Sequence, residues 1–192
     1  MALHRSALRD QPVLHTARLE LRQLGPEYIE DSMNSLGDPE GNRMTGTQTT
    51  FTREQVLEFL TGLPGRDDRA DFAIIGQEDG RFYGEVVLNG LDEDNASMNY
   101  RIAMVPGDGS TGGRGRGLGT EAGKAVVDWG FDAVGLHRIG LDVFDFNPRG
   151  LRSYEKIGFT VEGRQRHTLL WDGTWSDSIL MGMLHDDPRP DR

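Results

Sequence analysis

Two arginines and three glycines stand directly ahead of an expected helix: Arg114-Gly115-Arg116-Gly117-Leu118-Gly119-Thr120. Glycine lets backbone N–H groups turn toward one point and lets a ligand approach with no Cβ in the way. The first turn of a helix has N–H donors without partners and about half a positive charge. The joint therefore reads as an anion site shaped for a phosphate or diphosphate.

Periodicity places this joint inside a mixed α+β order. Alternation in Arg18–Leu24 predicts a half-buried strand. A helix is expected over 26–36. Thr52 and Gln55 form a capping box for a second helix, which must stop before Pro64. Residues 66–71 are densely charged and read as a loop. Strands follow at 72–75, 82–88 and 98–105, then a flexible glycine-rich loop at 107–113. Leu118, Ala122, Ala125, Val126 and Trp129 recur at helical spacing over 118–134, with Gly135 as C-cap. A strand at 139–144 leads to a short helix over 148–157, capped by Asn147, opened by Pro148 and ended at Gly158. Strands at 159–162, 166–171 and 178–184 close the chain. One domain over 13–185 is expected, with 1–12 and 186–192 as flexible ends.

Charge narrows the partners. Lys and Arg number 21 against 31 Asp and Glu, a net charge of −10, which disfavours nucleic acid and mildly favours a cationic acceptor. There is no cysteine, so disulfides, thiolate zinc sites and cysteine nucleophiles are excluded. The five histidines have no metal-ligand spacing, and no apolar run approaches the ~18–20 residues of a membrane span. The N-terminal residues lack the apolar core of a signal peptide. A cytoplasmic protein without a metal is expected.

The loop has several readings. A phosphate-binding loop of the Gly-x-x-x-x-Gly-Lys-Ser/Thr type lacks its Lys-Ser/Thr here. Gly117-Leu118-Gly119-Thr120-Glu121-Ala122 satisfies a dinucleotide fingerprint, but Pro106 and a long loop separate it from the preceding strand. A plain surface loop is the third reading, although so much glycine is an entropically costly connection.

A fourth reading rests on resemblance. Arg114-x-x-Gly117-x-Gly119 resembles the Gln/Arg-x-x-Gly-x-Gly/Ala motif of the GNAT superfamily of N-acetyltransferases. Asn147-Pro148-Arg149-Gly150-Leu151-Arg152-Ser153-Tyr154-Glu155-Lys156-Ile157-Gly158-Phe159 is similar to that family's Asn-x-x-Ala-x-x-x-Tyr-x-Lys-x-Gly-Phe, with Gly150 where alanine is usual. Residues 18–22 and 172–177 are similar to the ends of its ribosomal-protein and spermidine acetyltransferase subgroups.

The resemblance implies a mixed, mostly antiparallel sheet of about seven strands flanked by about four helices, with two parallel central strands splayed apart. It implies acetyl-CoA as cosubstrate, its diphosphate on Arg114, Gly115, Arg116, Gly117, Leu118, Gly119 and Thr120. The pantetheine would pair with the backbone of Ile102, Ala103 and Met104. Asn147, Arg149, Ser153, Tyr154 and Lys156 are further coenzyme contacts. The expected chemistry is direct attack of a primary amine in a ternary complex, the acceptor being a protein N-terminus, a polyamine or a small amine. Tyr154 is the expected general acid, since a phenol with a pKa near 10 carries its proton at neutral pH. Glu85 and Asp142 are the candidate bases, each a charge inside an apolar strand; a water chain ending at a carboxylate is an equal candidate. The subgroup also suggests a homodimer. A non-catalytic coenzyme-binding module is the alternative, because Ser97-Met98-Asn99 stands where some relatives carry a glutamate.

Overall fold

The computed structural model describes residues 3–107 and 112–190, so residues 108–111 of the expected flexible loop lie outside the described residues. Arg5–Arg9 forms α1 and Leu14–His15 a two-residue strand, β1. In β2 (Leu19–Gln23), Leu19 and Leu21 are buried and Arg22 is exposed, as the alternation requires. A 3₁₀ turn at Pro26–Tyr28 opens α2 (Ile29–Leu36), and α3 (Pro39–Thr45) follows. The expected capping box starts α4 (Arg53–Thr61), with both of its reciprocal bonds made. Strands β3 (Ala70–Gly76), β4 (Phe82–Asp92) and β5 (Ser97–Met104) form a meander. After α5 (Leu118–Trp129) and a π turn at Gly130–Val134 come β6 (Arg138–Phe144), α6 (Pro148–Ile157), β7 (Thr160–Trp171) and β8 (Thr174–Leu184).

The eight strands form one sheet in the order β1-β2-β3-β4-β5-β6-β8-β7. Every neighbouring pair is antiparallel except β5 and β6. That parallel pair holds only at its start, where Ser97, Met98 and Asn99 face Arg138, Ile139 and Gly140. Beyond Asn99 the strands part, so one edge of β5 is left without a strand partner.

Each face of the sheet carries helices over part of its area. On one, Val86, Leu88, Met98 and Ile139 pack with Ala122, Val126 and Val127 of α5 and Ile157 of α6. On the other, Ala73 and Ile75 pack with Ile29 of α2 and Val56 and Leu60 of α4. No helix among the described residues is long and apolar enough to cross a membrane.

Two counts change, and both described ends make tertiary contacts. The sheet has eight strands where the resemblance implies about seven, and they are not the eight that periodicity marks: β1 is added, while the strands expected at 159–162 and 166–171 are one strand, β7, carrying two register shifts against β8. There are six α-helices among the described residues rather than about four, because α1 and α3 are added. The N-terminal segment expected as flexible is anchored over its described part. Leu8 of α1 is fully buried in the larger core, His4 N–H donates to the Val134 carbonyl (2.7 Å), and Arg5 pairs with Asp67 and Glu93. The described part of the tail is likewise tied down: Arg189 pairs with Asp128 and Asp132 and lies 5.0 Å over the Phe131 ring.

Candidate active site

The parting of β5 from β6 opens one cleft of about 780 Å³ that runs from the glycine joint at α5 and α6 to the underside of α2 and α4. At the α5 end, Glu121 N–H closes the first helical turn on the Gly117 carbonyl at 3.0 Å. The N–H groups of Leu118, Gly119 and Thr120 therefore have no acceptor within the helix. Gly117 is the N-cap and makes no side-chain cap; its φ of 77° lies in the left-handed region that glycine tolerates. A Cβ at Gly113 would come within 2.4 Å of the Tyr83 carbonyl, so the loop can pass this close to β4 only as glycine. These features fit an anionic diphosphate: unfilled backbone donors, a positive helix end and no side chain in the way.

The arginines of the joint have different roles. Arg114 lines the cleft, but its guanidinium is held by Asp38 and by Glu40 (3.0 Å), and its Nε donates to the Met104 carbonyl at 3.0 Å. Its charge is thus largely offset, and the Met104 carbonyl is occupied. Arg116 leaves the cleft: its guanidinium lies 5.2 Å over the Tyr83 ring and donates to the Tyr83 hydroxyl at 3.1 Å. The Leu118 side chain is buried in the core, leaving only its backbone to face a ligand. Neither Arg116 nor the Leu118 side chain supports its expected contact, because each has a packing partner of its own.

The remaining expected coenzyme contacts line the cleft: Ile102, Ala103 and Met104 on β5, Gly115, Gly117, Gly119 and Thr120 at the joint, and Asn147, Arg149, Ser153, Tyr154 and Lys156 around α6. Asn147 caps α6, its Oδ1 accepting from Gly150 N–H at 2.9 Å. The hydroxyls of Thr120 and Ser153 meet at 2.8 Å and tie α5 to α6. Arg149 is 3.3 Å from Glu40, whereas Arg152 and Lys156 make no ion pair among the described residues.

Tyr154 packs edge-on against Tyr100 (5.9 Å between ring centres) and Phe159 (6.3 Å). Burial, with a smaller contribution from the negative charge of Asp142, pushes its phenol up to about 12. Glu85 lines the same cleft. Its carboxyl is raised first by burial and then by Asp71, against the pull of Arg101 and Arg69. Asp142 is not in the cleft. It is exposed, accepts from Ser178 Oγ at 3.2 Å and lines a separate depression with Asn99, Arg138 and Glu162. Strand alternation is the reason: Leu141 and Val143 take the buried positions, which turns Asp142 outward.

Sequence reasoning missed the surroundings of Glu85. Asp71 is 3% exposed and is held by both arms of Arg69, at 2.6 and 2.7 Å. Register puts Ala73 and Ala103 beside Glu85, and Asp71 and Arg101 beside Val87, so the charges form one cross-strand group on a single face. The local signal was the Arg-x-Asp spacing at 69–71, which reads as loop when only charge density is considered. Among the described residues, no group of three His, Cys, Asp or Glu is placed to hold a metal ion.

Known proteins share this architecture. Residues 18–160 match the Acetyltransferase (GNAT) domain family. The probable N-acetyltransferase YjcK of Bacillus subtilis (strain 168) is 30% identical over 138 residues, which span 70% of this chain and 72% of that protein. The spermidine N(1)-acetyltransferase of Escherichia coli (strain K12) is 28% identical over 114 residues, 59% of each chain. The crystal structure of spermidine N-acetyltransferase from Vibrio cholerae, in complex with CoA and spermine, has a TM-score of 0.81 at 20% identity. It covers 90% of this chain and 98% of that one, a likeness of fold. The family match spans the splayed strands, the glycine joint and α6 with its tyrosine, so the chain belongs to the GNAT acetyltransferases, enzymes that use acetyl-CoA to acetylate amines.

Proposed function

We propose that the cleft takes acetyl-CoA from the α5 end and a primary amine from the Glu85 end, and that acetyl passes directly between them. Acetyl-CoA supplies an activated acetyl group on a thiol that must leave. The N–H groups of Leu118, Gly119 and Thr120 hold the diphosphate, with Arg152 and Lys156 as nearby cations. The free edge of β5 beyond Asn99 offers backbone donors and acceptors to an extended arm, as an added strand would use them. Tyr154 keeps its proton throughout the neutral range, so its hydroxyl is the proton donor for the leaving thiolate and regains a proton from the nitrogen that has attacked. Glu85, whose carboxyl is raised by burial, is a stronger base than an exposed carboxylate and takes the proton from the incoming ammonium.

The observation that carries this reading is that Tyr154, Glu85 and the unfilled helix end line one continuous cavity. The names of the relatives support a polyamine as one acceptor to test, and the net charge of −10 is consistent with a cation approaching. The test is to mix the protein with acetyl-CoA and an amine panel and follow thiol release, with calorimetric titration of CoA alongside. Release with at least one amine, and its loss in Tyr154→Phe, is expected. Tight CoA binding with no release for any amine would mark a binding module instead. A homodimer through β7 and β8 is part of the same proposal. It is supported by β7 at the sheet edge and by exposed Val161, Leu170 and Trp175. A monomeric mass by light scattering would reject that part.

A further inference from the structure

The charges around Glu85 bear on which amine enters, provided the cleft works as an acetyltransferase site as proposed above. Two cations and two anions meet there. Arg69 is committed: it forks onto Asp71 and lies 5.1 Å over the Phe59 ring. That pair is close to neutral and already has its hydrogen bonds. Arg101 differs. It lines the cleft, and among the described residues its guanidinium makes no hydrogen bond and no ion pair, although its charge acts on Glu85. A guanidinium has five donors in a planar fork that suits a carboxylate.

Register fixes how Arg101 stands to Glu85. Glu85 is opposite Ala103 and Arg101 is opposite Val87. The two are diagonal neighbours on one face of an antiparallel pair, with backbones about 7–8 Å apart. A proton acceptor and a cation that no hydrogen bond ties down therefore stand on neighbouring positions of one face. A second polar group lines the same cavity. Ser32 of α2 lines the cleft and is 7% exposed, and its Oγ is buried without a partner. A buried hydroxyl left unpaired is costly, and a polar acceptor would satisfy it.

We infer that the acceptor is a small amino-carboxylate, its amine presented to Glu85 and its carboxylate held by Arg101. A polyamine has several cations and no anion. One ammonium would meet Glu85, but the next would face Arg101 and a pair already neutralised, with like charge opposing it. The local balance thus selects against the polycation that net charge alone would admit.

The test compares matched acceptors: β-alanine, 4-aminobutyrate and lysine, each against its methyl ester, with spermidine as the polycation. Full-length protein and acetyl-CoA are used, and thiol release is followed. At least one acid should exceed its ester in kcat/KM by about ten-fold or more, mainly through KM, as a charge-assisted bond implies. Arg101→Gln should bring that ratio toward one, and Arg101→Glu should reverse it in favour of esters and spermidine. Calorimetric titration of CoA checks that each variant keeps its donor site. Preference of the native protein for esters or spermidine, or an acid preference that survives Arg101→Gln, would overturn the inference while leaving amine acetylation standing. No release with any amine would overturn both.

Discussion

Replacing Tyr154 by phenylalanine removes one hydroxyl and keeps the ring that packs on Tyr100 and Phe159. If the phenol protonates the leaving thiolate, kcat should fall about 100-fold or more, while CoA affinity by calorimetry stays within about two-fold because the ring that lines the cleft remains. Weakened CoA binding with an unchanged kcat would assign the residue to packing. Glu85→Gln should act on two quantities in opposite directions. Burial raises the Glu85 carboxyl in the fold, so between the ordinary carboxylate range and that raised value the folded state binds more protons than the unfolded chain. Stability therefore falls as pH rises through this window and stays lower above it. The neutral amide is free of that loss, so Glu85→Gln should melt higher than the native protein at pH 8 and should match it more closely at pH 4. Its acetylation rate should fall by about two orders of magnitude. A lower melting temperature at pH 8 would show that the charge is stabilised rather than strained. Tyr154 was legible in the sequence because its whole motif lies within thirteen consecutive residues. Asp71 and Arg101 were not, because their relation to Glu85 exists only through the register of three strands.

Local chemistry made most elements legible. The Thr52–Gln55 capping box, Asn147 and Pro148 at the start of α6, and Gly135 and Gly158 at helix ends all stand where their chemistry predicts. Gly150, the departure from the usual alanine, also has a local reason: a Cβ there would come 2.6 Å from Asn147 Nδ2, so that cap would have to shift. α3 escaped because none of its residues is buried and no apolar stripe marks it. It is held instead by its cap, Asp38, which accepts from Glu40 and Gly41 N–H, and by Arg114, which reaches both acids from ten residues beyond β5. β7 was read as two strands because its register shifts break the alternation. The start of α5 yields a prediction for the element as a whole. Gly117→Ala puts a Cβ on a residue at φ 77°, costing about 1 kcal/mol or more of stability. Relaxing that strain would turn the N–H groups that follow away from their common focus. CoA titrated against this variant should bind at least ten-fold more weakly. Unchanged affinity would mean that the diphosphate is held elsewhere.

The described ends of the molecule are held for a reason of scale. Composition weighs residues 1–12 and 186–192 by their charges and prolines, whereas the described residues among them meet surfaces far away in sequence. Arg189 inserts between Asp128 and Asp132 with its side chain only 10% exposed. Arg189→Ala leaves both acids without that partner and should cost about 1–2 kcal/mol, lowering the melting temperature by roughly 2–8 °C. Leu8 is a sharper case, since it lies in the same core as Phe72, Val126 and Phe131 and is fully buried. α1 has five residues, too few to hold a helix without tertiary contacts. Its order must come from Leu8, from the His4 bond to Val134 and from Arg5 on Asp67 and Glu93. Removing the Leu8 side chain opens a cavity in the main core, at a cost of about 2–5 kcal/mol. Leu8→Ala should therefore melt roughly 5–15 °C lower. Leu8 does not line the cleft, so acetylation measured well below the melting temperature should keep its native kcat and KM. A melting shift under 1 °C would mean that the segment merely rests on the domain, and a changed KM at low temperature would mean that the core under α5 transmits strain to the cleft.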